Sequence, residues 1–339
     1  MRILVADAFP EDSLTALTEA GDECRYLPET TPERLGESLR GCEVLVVRST
    51  RVPAPVFAEA DALRLVIRAG SGTNTIDRAA AGEHGVHVCN VPGRNSTAVA
   101  ELAFALLLAL DRNIADNVAD LRAGRWDKRR YSRARGIHGR RVGVLGLGDI
   151  GLEFATRAAA FGTHVHAVDK PRRDPEVLER ARSLGITFLP NTEELVSTCD
   201  VLSLHLPLTE ETRGLVDHEL LSRVRPGTIL LNTARGELVD EDALIEAMET
   251  KGVRAGIDVF THEPETATGT VESRLASHPN VYGTHHIGAS TEQAQRAVAA
   301  EVVRMVEAFR NGTVLHCVNE DSLRSGRSTR TTAPTGGAS

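Results

Sequence analysis

Val142-Gly143-Val144-Leu145-Gly146-Leu147-Gly148-Asp149-Ile150-Gly151 lies in the middle of a 339-residue chain. Short apolar residues run into Gly146-x-Gly148-x-x-Gly151, and Leu152–Ala159 continues in a helical pattern. A strand feeding a glycine turn that opens a helix is the context in which this spacing means dinucleotide binding. Gly146 permits the tight turn, Gly148 lets the backbone approach a pyrophosphate, and Gly151 lets helix pack on strand. The helix N-terminus then offers unpaired N–H groups and a partial positive charge to the phosphates. A second strand, Thr163–Val168, ends at Asp169, 18 residues past Gly151. A carboxylate there accepts hydrogen bonds from an adenosine ribose.

Outward from this motif, strands alternate with helices on both sides. Upstream, apolar runs at Ile3–Ala6, Val44–Val47, Leu65–Ile67 and His87–Val91 are separated by helical stretches at Pro10–Ala20 and Pro55–Ala62. Downstream, the series continues through Val201–Leu204, Thr228–Leu231 and Ala255–Val259. Such a rhythm predicts parallel α/β sheets, and two series predict two domains. Ser96–Leu110 reads as a long apolar helix with Glu101 its one internal charge, suited to a domain or subunit contact. Glu292–Arg310 reads as another helix. From about Glu320 the composition turns to Ser, Thr, Gly, Arg and Pro, so the tail is expected to be disordered.

Bulk composition excludes several classes. A formal charge of −8 argues against a general nucleic-acid binder. Apolar stretches such as Ala103–Leu110 are far shorter than the ~20 residues that cross a bilayer. The first residues lack a signal-peptide layout. The five cysteines are scattered without a C-x-x-C, which suits buried thiols in a cytoplasmic protein. No spacing calls for a metal; His164-x-His166 has no third ligand nearby.

Polar residues sit where the downstream strands end, the side on which open α/β sheets bind ligands. His205, Leu206 and Pro207 follow one strand, Thr233, Ala234 and Arg235 the next, and Val281–Gly283 leads to His285 and His286. Asp258 ends a further strand that leads to Glu263-Pro264. Oxidising an alcohol by hydride transfer requires its hydroxyl proton to leave, and a histidine with a pKa near ~6.5 suits that task. A carboxylate beside the imidazole orients it and favours its protonated form. An arginine grips a substrate carboxylate through two N–H groups.

These motifs together resemble the D-isomer-specific 2-hydroxyacid dehydrogenase family, most of all its phosphoglycerate-oxidising members, over roughly residues 1–318. The resemblance rests on the fingerprint with Asp169, on Val201–Leu215, Leu231–Asp240 and Asp258-Val259-Phe260-x-x-Glu263-Pro264, and on His286-Ile287-Gly288-Ala289-Ser290-Thr291. It implies two doubly wound, Rossmann-like domains with a cleft between them. A discontinuous substrate domain (1–95 and 289–318) would flank a cofactor domain (96–288), with a disordered tail at 319–339. It implies His286 as acid/base, Glu263 as its partner and Arg235 as the substrate-orienting residue. Asp258 would meet the nicotinamide carboxamide. Ser71, Asp149, Ile150, His205, Leu206, Pro207, Thr233, Ala234, Gly288 and Ala289 would line NAD.

Substrate contacts are expected from Arg48 and Arg68 at matching strand ends, and from backbone N–H groups around Ala69-Gly70. Arg122–Arg141 carries nine Lys/Arg and one Trp, and by analogy approaches a neighbouring subunit's active site with Lys128 or Arg129. Trp126 would anchor a homodimer. The implied reaction is NAD-linked oxidation of 3-phospho-D-glycerate to 3-phosphooxypyruvate. The alternatives are another D-2-hydroxy or 2-oxo acid, including a phosphonate analogue, and an NAD(H)-sensing corepressor. No serine-type regulatory domain is expected after residue 318.

The chain departs from the family pattern at four places. His285 stands where a proline is usual; the register of Ile287–Thr291 selects His286. Thr73-Asn74 replaces an apolar–acidic pair, and Arg133–Ile137 lacks the usual Gly-x-Glu-Leu. Lys170, Arg172 and Arg173 follow Asp169, but an aspartate at 169 repels a 2′-phosphate and so favours NAD over NADP.

Overall fold

The computed structural model describes residues 1–264 and 268–324. It divides into two compact units, Met1–Asn95 with Thr291 onward, and Ser96–Ser290.

The first unit is a five-stranded parallel sheet. Its strands are β1 (Arg2–Val5), β2 (Glu23–Tyr26), β3 (Val44–Val47), β4 (Leu65–Arg68) and β5 (His87–Asn90), in the order β2-β1-β3-β4-β5. β3 is buried along its whole length, as its Val-Leu-Val-Val sequence requires. The order reverses between β1 and β3, the place where open sheets bind ligands. Here a side chain fills it. Asp7, just past β1, accepts from the backbone N–H groups of Arg48 (2.6 Å), Ser49 (3.2 Å) and Thr50 (3.1 Å). The helix Glu292–Arg310 returns to this unit, capped by Thr291 Oγ1, which accepts from Ala294 N at 3.1 Å. Its Glu301 is nearly buried and ion-paired to Arg94 and Arg304.

The second unit holds seven parallel strands: β6 (Arg141–Leu145), β7 (His164–Val168), β8 (Thr187–Leu189), β9 (Val201–Leu204), β10 (Ile229–Asn232), β11 (Arg254–Ile257) and β12 (Val281–Gly283). Their order is β12-β11-β10-β9-β6-β7-β8, the doubly wound arrangement, with the switch point between β6 and β9. The helix Ser96–Arg112 packs on the helix Asp149–Ala160 and on β10 and β11. Its apolar face is therefore used inside its own unit. Gly256 on β11 permits that approach, since a Cβ there would lie 2.9 Å from Leu106 Cβ. Replacing the fully buried Leu107 by alanine removes contacts worth about 2–5 kcal/mol.

Two strands have no counterpart in the sequence reading. β2 (Glu-Cys-Arg-Tyr) and β8 (Thr-Phe-Leu) are short, largely solvated edges, so neither carries an apolar run. The tail also begins later than expected. Asn319 is buried; its Oδ1 accepts from Val88 N at 2.9 Å and its Nδ2 donates to Val86 O at 3.0 Å. Leu323 is buried too. Asn319 and Leu323 thus join the first unit's core, and the rest of the expected disordered tail, 325–339, lies outside the described residues. No helix among the described residues is long and apolar enough to cross a membrane.

Candidate active site

The glycine motif forms the turn between β6 and the helix Asp149–Ala160. Each glycine answers a different constraint. Gly146 has φ +101°, and a Cβ there would meet His205 O at 2.5 Å across the switch point. A Cβ on Gly151 would lie 1.9 Å from Gly146 O. A Cβ on Gly148 would meet nothing within 4 Å. Gly148 is thus not needed for packing; it leaves exposed space in front of a helix start that no side chain caps. Asp149 is exposed there and Ile150 half-buried, while Asp169 is exposed just past β7.

His205, Leu206 and Pro207 follow β9. The His205 backbone borders Gly146, but its imidazole turns into the fold. Nε2 meets Ser203 Oγ at 2.8 Å, Nδ1 is buried without a partner among the described residues, and the ring tilts on Phe154 at 5.2 Å. Burial holds it neutral, with its pKa lowered to about 3. His205 thus brings its backbone, and not its imidazole, to the glycine turn.

β10 ends at Asn232, which is buried and organises the next loop. Its Oδ1 accepts from Ala234 N at 3.0 Å and its Nδ2 donates to Arg235 O at 2.8 Å. Thr233 Oγ1 is buried and unpartnered among the described residues. The Arg235 guanidinium donates to Ala234 O. Its pKa is lowered by burial, against the opposing charges of Glu237 and Glu263. Gly236 follows, and a Cβ on it would lie 2.2 Å from Phe260 C and 2.4 Å from Thr261 N. The loops carrying Arg235 and Glu263 touch only because residue 236 has no side chain.

Glu263 joins the two ends of the site. Its Oε1 accepts from Phe260 N at 2.9 Å, and its Oε2 lies 2.7 Å from His286 Nδ1. Burial, the largest single influence, pushes its carboxyl up, but the bond and charge of His286, the Phe260 N–H and the Arg235 charge together outweigh it and leave the pKa lowered. His285 is exposed and lacks this contact. His286 adopts φ +50°, unusual for a residue with a Cβ. Asp258 sets that conformation. Its backbone O accepts from His286 N at 2.8 Å. Its carboxylate accepts from Ile287 N at 2.9 Å, Gly288 N at 2.8 Å and Thr284 Oγ1 at 2.6 Å. The buried Asp258 carboxylate, holding three internal donors, thus positions the histidine loop. Gly288 fits because a Cβ would already lie 3.0 Å from Asp258 Oδ2. Ala289, half-buried, ends the loop.

The remaining expected residues belong to the first unit and to the short helix that carries Lys128. Arg48 and Arg68 stand at the ends of paired strands, Val47 being in register with Arg68. The Arg68 guanidinium lies over Gly70, where an added Cβ would meet its Nη1 at 1.6 Å. The backbone donors expected to bind an anion are engaged: Ala69 N donates to Val47 O and Gly70 N to Arg68 O, both at 2.7 Å. Ser71 Oγ donates to Asn95 Oδ1 at 3.0 Å. Lys128 is exposed on the short helix Lys128–Tyr131. Asn232 and Gly236 carry site geometry without having been assigned a role from sequence. The one signal for Asn232 is a polar residue closing an otherwise apolar strand.

The model of the NAD-binding domain of D-isomer-specific 2-hydroxyacid dehydrogenases matches residues 104–288, more than half the chain. The chain belongs to that family. It is 38% identical over 314 residues to D-3-phosphoglycerate dehydrogenase of Methanocaldococcus jannaschii, covering 92% of this chain and 58% of the relative. It is 42% identical over 308 residues to the Mycobacterium leprae protein of the same name, covering 90% and 56%. The chain therefore spans little more than half the length of these relatives. A D-isomer-specific 2-hydroxyacid dehydrogenase structure from a Polaromonas species matches with a TM-score of 0.82 and 28% identity, over 94% of this chain and 99% of that one. The cofactor of the family's domain is NAD, and the residues present fit it: open space at Gly148, an uncapped helix start, the orphaned Thr233 hydroxyl and an exposed Asp169.

Proposed function

We propose that this 2-hydroxyacid dehydrogenase oxidises 3-phospho-D-glycerate to 3-phosphooxypyruvate, the first step towards L-serine. NAD, when bound, supplies the hydride acceptor. The observation that carries the mechanism is the 2.7 Å contact between His286 Nδ1 and Glu263 Oε2. With Nδ1–H donating to Glu263, Nε2 is left as the base that takes the substrate hydroxyl proton. The depressed pKa of Glu263 keeps it ionised at neutral pH, where its charge stabilises the imidazolium that forms. Arg235 orients the substrate carboxylate. Arg48 and Arg68, with Lys128, bind the phosphoryl group.

The same reading makes the protein a cytoplasmic homodimer. Ile114, Val118 and Leu121 share one helix face and are 48%, 40% and 51% exposed, and Trp126 beyond it is 80% exposed. Such a face is suited to a second copy of the chain.

His286→Ala tests the mechanism. It should abolish turnover of 3-phosphoglycerate while NADH binding, followed by fluorescence, stays near the parent value. Turnover surviving the change would remove His286 from the role. Arg48→Ala, assayed with phosphoglycerate, glycerate and lactate, tests the substrate. A parallel loss on all three, or on none, contradicts a phosphoryl contact.

A further inference from the structure

Two cysteines 228 residues apart in sequence meet across an isolated antiparallel bridge, Cys89 on β5 and Cys317 on the returning C-terminal segment. The hydrogen bonds around them fix the kind of pair. Asn90 N donates to His316 O at 3.3 Å and Val318 N to Val88 O at 2.8 Å, so the bonds flank the cysteines. Such a non-hydrogen-bonded pair holds its Cα atoms about 4.5 Å apart. A disulfide spans Cα separations of roughly 4.4–6.8 Å, so the backbone is already set for one. Side chains of such an opposed pair lie next to each other on one face of the ladder, and the two thiols interact. Burial raises the pKa of Cys89, and the adjoining Cys317 sulfur raises it further through charge and a hydrogen bond.

The two thiols are not equivalent. Cys89 is fully buried, whereas Cys317 is partly exposed. The Cys317 sulfur lies 3.8 Å from His87 Nδ1 and donates to Asn319 Oδ1 at 3.3 Å. Cys317 is thus the thiol an oxidant reaches, with an imidazole beside it to take its proton, and Cys89 is the resolving thiol behind it. None of these residues takes part in the proposed hydride transfer.

We propose that Cys89 and Cys317 form a reversible disulfide, made by a hydroperoxide and broken by a dithiol. The Cys317 thiolate attacks the peroxide O–O bond, giving a sulfenic acid and the alcohol (water, from hydrogen peroxide), with the thiol proton passing through His87. The Cys89 thiol then displaces the hydroxyl as water and closes the S–S bond. Two electrons leave the sulfurs and reduce one peroxide. The bond encloses residues 89–317, and so ties the two chain ends that bound the whole inserted unit.

The test is thiol counting and peptide mapping of the full chain after hydrogen peroxide under native conditions. The five thiols should fall to three, with one peptide pair joined through Cys89 and Cys317, and dithiothreitol should restore all five. In Cys89→Ser the reaction should stop at a Cys317 sulfenic acid that dimedone captures; in Cys317→Ser, Cys89 should stay reduced. Oxidised parent protein, cut by protease within residues 96–290, should run as one species on a non-reducing gel and separate on reduction. Five persistent thiols, a bond joining other cysteines or two chains, or faster oxidation of Cys89 than of Cys317 would each overturn the proposal.

Discussion

Gly236→Ala is the sharpest test of how the site is assembled. The added Cβ would stand 2.2 Å from Phe260 C, 2.4 Å from Thr261 N and 2.5 Å from Phe260 O, all backbone atoms. Ordinary carbon contacts lie near 3.5–4.0 Å, so the two loops must part by on the order of 1 Å. None of the three is the end of a flexible side chain that could swing aside. Arg235 immediately precedes the substituted residue, and Glu263 is anchored to Phe260 N at 2.9 Å. The shift therefore separates the arginine from the Glu263–His286 pair. Overpacking of this kind costs about 1–3 kcal/mol of stability, a fall in Tm of roughly 5 °C. A misplacement of about 1 Å costs on the order of 100-fold in rate. Steady-state kinetics should show kcat/KM for the hydroxy acid down about 100-fold, while the NADH dissociation constant changes less than roughly threefold. Parent-like kcat and Tm in the variant would refute the reasoning, as would a loss confined to NADH binding.

The fingerprint glycines should separate binding from folding. Gly148→Ala should leave Tm within about 2 °C of the parent and weaken NADH binding about tenfold or more, whereas Gly151→Ala, aimed at Gly146 O, should destabilise by about 2 kcal/mol or more; calorimetry with NADH titration distinguishes them. His205 should make stability pH-dependent. Its folded pKa of about 3 lies below the ordinary 6.5, so the unfolded chain binds the extra proton and stability present above pH 6.5 is lost as pH falls. Urea unfolding should show about 2 kcal/mol lost from this group between pH 6.5 and 5, and His205→Gln should flatten that slope. Glu263→Gln keeps an acceptor for Phe260 N but removes the charge beside His286; kcat should fall about 10- to 100-fold with KM for NAD little changed. Equal kcat would mean that orientation alone matters.

Much of the site was legible because strands in a doubly wound sheet leave their functional residues at one end. Arg235, Glu263 and His286 could be picked out from apolar runs that stop at polar residues, and Gly146, Gly148 and Gly151 from a spacing tied to one turn. The edges β2 and β8 were not legible, since a strand with little buried surface needs no apolar pattern. Nor was the inward turn of the His205 ring, which depends on Ser203 and Phe154 lying behind it.

Sequence alone determined the two α/β series, the dinucleotide turn and the polar residues at the strand ends, because periodicity and spacing act over a few residues. Tertiary structure decided what no local pattern encodes. It brought Glu263 to 2.7 Å from His286. It turned Asp258 into the clamp of the histidine loop, made Gly236 the point where two loops touch, and set Cys89 against Cys317 across the return of the chain. Each of these joins residues from separate loops or strands, and their proximity exists only once the sheets have fixed where those segments end.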